Sequence, residues 1–267
     1  MRTATRRLRT AIKLHGQQAP KKRRTAIEDE LKRIARRLGV VRDLDVLLET
    51  LPVAGHGNGT AVDIAPLRDA WQTERAAGAG RLKADIGRPR FRRALKQADV
   101  LVATPAAGSS DGGRDGRGEA ERIATEAPGL IWDAYGAVIA YEVDARTADP
   151  TVIHELRIAA KKLRYTLEAF EDALEPGATL ISDVKALQDA AGSMHDSIVA
   201  GERARSTVAP RKLTKRQRRA IDAYASDQAR SAERLRPAIA GALQRVRSRP
   251  FRASLGRALA GMGHVRV

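Results

Sequence analysis

The residues of clearest chemical content lie in the run His154-Glu155-Leu156-Arg157-Ile158-Ala159-Ala160-Lys161-Lys162-Leu163-Arg164-Tyr165. On a helical wheel of about 100° per residue with His154 at zero, Arg157, Lys161 and Arg164 fall near 300°, 340° and 280°. Tyr165 flanks this row, and Lys162 stands apart near 80° on the same wheel. Leu156, Ala160, Leu163, Leu167 and Phe170 occupy the opposite side, so the spacing predicts a helix with one face in a core and an adjoining row of cations. At about 1.5 Å per residue the row from His154 to Arg164 is about 15 Å long. It suits a ligand with several negative charges in a line better than one small anion.

The chain opens with an echo of this run. Arg2, Arg6, Arg7 and Arg9 fall on Arg157, Lys161, Lys162 and Arg164, and Lys13 continues the first row. Leu8 and Ile12 lie on its apolar side. A basic helical face is commonly just a solvated surface, but solubility sets the number of surface charges and not their helical positions. Repetition of the positions favours binding.

The charge balance points the same way. The chain of 267 residues carries a formal net charge of +17, and residues 1–45 hold 14 Lys/Arg against 5 Asp/Glu. Cations clustered this densely imply a polyanionic partner: nucleic acid, an anionic membrane surface or another phosphate polymer. Aromatic residues are 3% of the chain, and the basic helices carry almost none beyond Tyr165. Such a surface is made for phosphates and has little means of stacking bases. There is no cysteine, which excludes disulfides, thiolate metal sites and cysteine nucleophiles and fits a reducing compartment. No apolar run approaches the roughly 18 residues of a membrane span, and no apolar stretch follows the basic start as in a secretory signal. The expected location is the cytoplasm.

Other groups carry less. His15, His56, His154, His195 and His264 are scattered without a helical i, i+4 pair, so no metal site is assigned; a fold gathering His154 and His195 with carboxylates would revive one. Glu28-Asp29-Glu30, near Arg24 and Lys32, reads as local charge balancing. Asp43 and Asp196 read as helix caps or partners of a neighbouring Arg, and no catalytic residue is assigned.

These residues must be positioned by helices. Ala, Leu, Arg and Glu dominate, so the chain reads as all-α. The expected helices are 1–15, 22–38, 41–51, 64–86, 89–104, 119–126, 129–147, 151–174, 178–191, 195–208, 214–246 and 250–261. Gly39 and Gly192 are taken to end a helix or to allow close backbone approach. The segment Leu38 to Val46 corresponds to Ala191 to Val199, with Lys32 on Lys185, and Pro89-Arg90-Phe91 echoes Pro250-Phe251. Three landmarks in one order predict two halves of one design: a first bundle at 1–106, a flexible Gly/Ser/Asp linker at 107–118 and a second bundle at 119–267. Tandem bundles related by a pseudo-twofold axis would join the two cationic rows.

At these residues the sequence resembles the CHAD family, named for its histidine-containing α-helical domain. The resemblance rests on His154-x-x-Arg157-x-x-x-Lys161-Lys162-Leu163-Arg164-Tyr165, on Gly39-x-x-Arg42-Asp43-x-Asp45-Val46 and on its partner at Gly192 to Val199. It implies two pseudo-symmetric four-helix bundles with a basic groove at their junction. It also implies binding of inorganic polyphosphate and residence on polyphosphate granules. Some members are fused to a triphosphate-cleaving domain, of which no sequence occurs here. The family's first half carries its own histidine two residues before the position of Met1, so the reading favours a start upstream.

The function expected is therefore non-catalytic polyphosphate binding without a cofactor. The contacts assigned are Arg2, Arg6, Arg7, Arg9, Lys13, Arg157, Lys161, Lys162 and Arg164, with Lys32, Lys185 and Arg42 in support and His154 donating when protonated. Oligomeric state is left open. The main rival is a nucleic-acid-binding protein, for which the run Thr214 to Arg219 (TKRQRR) would be the patch. A phosphohydrolase would need metal-binding carboxylates among the cations.

Overall fold

Among the described residues eight helices are delimited: α1 (Lys21–Glu49), α2 (Ala65–Gly87), α3 (Pro89–Ala103), α4 (Asp115–Ile139), α5 (Pro150–Ala169), α6 (Gly177–Val208), α7 (Lys215–Arg247) and α8 (Arg249–Met262). The computed structural model describes residue 8 and residues 20–52, 63–103, 115–171, 174–175 and 177–262; for 102–103 and 115–126 it describes the backbone alone. No strand occurs among the described residues, so the chain is all-α, as its composition predicts.

Three expected breaks are absent. α1 runs unbroken through Gly39 and α6 through Gly192. A helical glycine costs only about 1 kcal/mol against alanine, and the apolar repeat continues across both. Ile34 and Leu44 are buried on either side of Gly39, and Leu187, Ala191 and Met194 around Gly192. Asp43 and Asp196 consequently sit inside helices and cap nothing. α4 begins at Asp115, inside the expected linker, and runs through Pro128 to Ile139. Ala127 and Ile131, flanking that proline, are fully buried, and their packing offsets its cost of about 3 kcal/mol or more.

Helix starts follow local chemistry. Asp149 caps α5 by accepting from the Thr151 backbone N–H at 2.7 Å, with Pro150 in the first turn. Thr214 and Gln217 form a reciprocal capping box at the start of α7, with contacts of 3.0 and 3.2 Å. The run Thr214 to Arg219 is thus a helix entry whose Lys215, Arg216, Arg218 and Arg219 are exposed. The echoed Phe91 and Phe251 are both buried in the opening turns of α3 and α8.

By packing, the chain divides into two compact units: the residues to Gly112 with Ser206–Asp222, and Gly113–Arg205 with Ala223–Val267. In the first, α1 and α2 run antiparallel. Gly78 of α2 faces Val40 and Val41, and Asp85 meets Arg33 and Arg37 of α1 at 2.5 and 3.1 Å. Ile27, Leu31, Ile34, Phe91 and Ala98 form a core, with Leu8 packed against it. The fully buried Trp71 indole donates to Thr207 Oγ1 at 3.1 Å. In the second, one core takes side chains from α4 to α8, including Tyr135, Leu156, Leu163, Leu187, Ile239 and Phe251. Tyr135 stacks on Phe251 and donates to the Val246 carbonyl at 3.2 Å.

The first unit keeps its guanidinium groups together with two carboxylates. Asp85 is buried and also meets Arg88 at 3.3 Å; Glu30 holds Arg33 through two contacts and Arg90 at 3.5 Å. Burial pushes the Asp85 carboxyl up, but hydrogen bonds from Arg37 and Arg33 outweigh it and hold the group below its usual range. The Arg33 hydrogen bonds, against the opposing effect of burial, lower Glu30 likewise.

Two consequences are measurable. Carboxyls depressed on folding stabilise above their unfolded values, about 3.9 for Asp and 4.3 for Glu, and lose that contribution as pH falls through the folded values. Asp85→Asn should therefore lower the Tm of the first unit at pH 7, and the gap from wild type should close below about pH 4; thermal unfolding from pH 2 to 7 reads this. Leu156→Ala, at a position with 0% exposure, should cost about 2–5 kcal/mol in urea unfolding of the second unit.

Candidate functional site

α5 has the two faces its sequence predicts. Ile153, Leu156, Ala160, Leu163 and Leu167 are buried, Lys161 and Lys162 are exposed, and His154, Arg157 and Arg164 lie between. Phe170, half-buried, ends the helix. The cationic row therefore sits where α5 leaves the core of the second unit.

α6 supplies the opposite wall. His154 Nδ1 and His195 Nδ1 are 3.1 Å apart, with ring centroids at 4.3 Å. Gly192 faces Arg157: a Cβ built on it would lie 3.9 Å from Arg157 Cδ, an ordinary contact distance. Both contacts obey one antiparallel register, 154 against 195 and 157 against 192. That register sets Lys161 opposite Gln188 and Arg164 opposite Lys185.

Several polar atoms on these two walls lack partners. Among the described residues, Arg157 Nε, Arg164 Nε and Gln188 Oε1 are buried without a hydrogen bond. Such atoms are costly unless something else satisfies them. Glu168 Oε1 lies 3.4 Å from Arg164 Nε, in ion-pair range without hydrogen-bond alignment. The Arg164 guanidinium rests over the Tyr165 ring at 4.9 Å, and Lys161 Nζ at 5.8 Å from the same ring. Among the described residues, Arg157, Lys161 and Lys162 make no ion pair with a carboxylate.

The supporting cations are placed differently. Lys185 pairs with Asp189 at 2.7 Å, Lys32 with Asp29 at 3.5 Å and Arg42 with Glu49 at 3.4 Å. All three are partners on their own helix, and exposed pairs of this kind are weak enough to yield to a stronger anion. Lys32 and Arg42 belong to the first unit, Lys185 to the second. Arg2, Arg6, Arg7, Arg9 and Lys13 lie outside the described residues, as do His15, His56 and His264. Asp45, in the segment Gly39 to Val46, pairs with Arg75 of α2.

His195 is the site residue that the sequence reading did not assign. It stands in the correspondence at the position of Arg42, and a shared positively chargeable type at matched positions was the available signal. Burial lowers its pKa from the ordinary imidazole value, with His154 and Arg157 adding to the shift and Asp196 and Glu202 opposing it. Among the described residues no three His, Asp or Glu side chains gather as a metal cluster, so the histidine pair meets without the carboxylates a metal site would need. No helix among them is long and apolar enough to cross a membrane.

With this geometry in place, the comparisons with known proteins can be read. A sequence model described as the CHAD domain matches residues 1–205. No curated protein matches the chain significantly. Among solved structures the chain is similar to PptA from Streptomyces chartreusis, with a TM-score of 0.59 and 20% identity over 91% of this chain and 87% of that one, a likeness of fold. The family match runs from the basic opening through α5 and nearly all of α6: the chain belongs to the CHAD family.

Proposed function

We propose that the chain binds inorganic polyphosphate without turning it over, and that it does so in the cytoplasm, on granules where that polymer collects. The observation that carries this reading is the face of α5: Arg157, Lys161 and Lys162 without carboxylate partners among the described residues, beside buried and unsatisfied Nε–H groups of Arg157 and Arg164. Each unit of the polymer offers oxygens that only accept. Arg supplies bidentate donors and Lys mobile point charges for them. Lys185 lies on the facing helix and extends the row once its bond to Asp189 is exchanged. Arg2, Arg6, Arg7, Arg9 and Lys13, with Lys32 and Arg42, extend the reading to the first half by their correspondence in sequence. The same correspondence underlies the division into bundles at 1–106 and 119–267.

A nucleic-acid reading rests on one observation, the exposed Arg211, Lys212, Lys215, Arg218 and Arg219 around the α7 capping box. It is the second choice, because no residue from Ala209 to Arg219 is aromatic. Long-chain polyphosphate binding to wild type and to Lys161→Ala/Arg164→Ala tests the first choice. A charged hydrogen bond contributes about 1.5–3 kcal/mol, so the double variant should bind at least about 100-fold more weakly. Far-UV circular dichroism should show it folded. Affinity of wild type should fall steeply with salt. Unchanged affinity in the variant, or displacement of polyphosphate by duplex DNA at equal phosphate, overturns the assignment.

A further inference from the structure

The imidazole pair has a property that a row of permanent cations lacks. Two Nδ1 atoms at 3.1 Å must share one proton: one ring donates and the other accepts. In the neutral pair the accepting ring carries its only N–H proton on Nε2, while the donating ring has a bare Nε2 lone pair. The pair therefore presents one donor and one acceptor on the Nε2 side. Adding a single proton leaves the shared bond intact and turns both Nε2 atoms into donors. Adding two would set N–H against N–H and break the contact.

The surroundings decide which state the empty site holds. From α5 come His154 and Arg157; from α6 come Asp196 and Glu202. Burial keeps the pKa of His195 below its ordinary imidazole value, with the positive charges of His154 and Arg157 acting in the same sense and Asp196 and Glu202 opposing it. A phosphate chain offsets the part of this that comes from neighbouring charge, not the part that comes from burial. It neutralises the field of Arg157 and offers acceptors to both Nε2 positions, which a bare lone pair would repel.

We infer that His195 is a binding residue of this site and that His154 and His195 together take up one proton as the phosphate chain binds. This rests on the polyphosphate reading above. The corresponding position of the first half is Arg42, whose charge does not titrate. Among the described residues, this proton uptake belongs to the second unit, at about one proton per chain molecule.

The test is calorimetric titration of the full chain with long-chain polyphosphate from pH 5.5 to 8.5 at fixed salt, in buffers of different ionisation enthalpy. Long chains are needed because the terminal groups that titrate near neutrality, at about pH 6, are then few. Wild type should bind more tightly as pH falls, by about tenfold for each unit by which binding raises the pKa of the pair. Uptake should approach one proton. His154→Gln/His195→Gln keeps amide hydrogen bonding and removes the titration, so its profile should be flat with no uptake. Binding without pH dependence in wild type, or a slope that survives in the double variant, overturns this inference and leaves the polyphosphate reading standing. Absence of polyphosphate binding at every pH overturns both. In ring nitrogen NMR of the free protein, His195 should titrate below its ordinary value and move up when polyphosphate is added. A His195 signal that ignores the ligand also overturns the inference.

Discussion

The approach of His154 to His195 and the facing of Arg157 and Gly192 mark one antiparallel register of α5 and α6, and the cationic face of the second unit lies along it. α5 contributes its row because the opposite side of the same helix is buried with the core residues of α6, Val184, Leu187, Ala191 and Met194. Hydrophobic burial sets the rotation of each helix about its axis. The charged side chains have no say in it, and their energy is spent where packing leaves them.

The carboxylate network of the first unit and the α5 row of the second handle positive charge differently. In the first, Asp85 serves Arg33, Arg37 and Arg88, and Glu30 serves Arg33 and Arg90, so a few carboxylates hold a larger set of guanidinium groups. Removing one partner from such a buried group leaves uncompensated charge, so breaking the network costs stability. Among the described residues the α5 row of the second unit has one ion pair, Arg164 with Glu168, and it lacks hydrogen-bond alignment. With 32 acidic against 49 basic residues the chain cannot neutralise everything, and it leaves this row uncovered among the described residues.

Much of this was legible in the chain itself. The 3.6-residue period separated the buried from the cationic side of α5, and Pro89 and Pro250 marked helix starts that bury Phe91 and Phe251. Glu28-Asp29-Glu30 was rightly read as local balancing, although Arg33 is its main partner. What stayed hidden depends on separation in sequence. His154 and His195 are 41 positions apart, Arg37 and Asp85 are 48, and Trp71 and Thr207 are 136. No local pattern announces such pairs. Gly39 and Gly192 misled for another reason: a glycine lowers helix propensity at one position, but uninterrupted burial on both sides outweighs it.

The row on α5 is graded in mobility. Arg164 is 14% exposed, its stem packed and its head resting on Tyr165, whereas Lys161 and Lys162 reach freely into solvent. Ordering a long side chain costs up to about 2 kcal/mol, and for Arg164 that cost is met when the protein folds. One end of the row is thus a rigid anchor that fixes where a ligand begins, and the other is a pair of loose tethers. Such an arrangement can grip a limp polymer at a definite point while tolerating whatever shape the remainder of it takes.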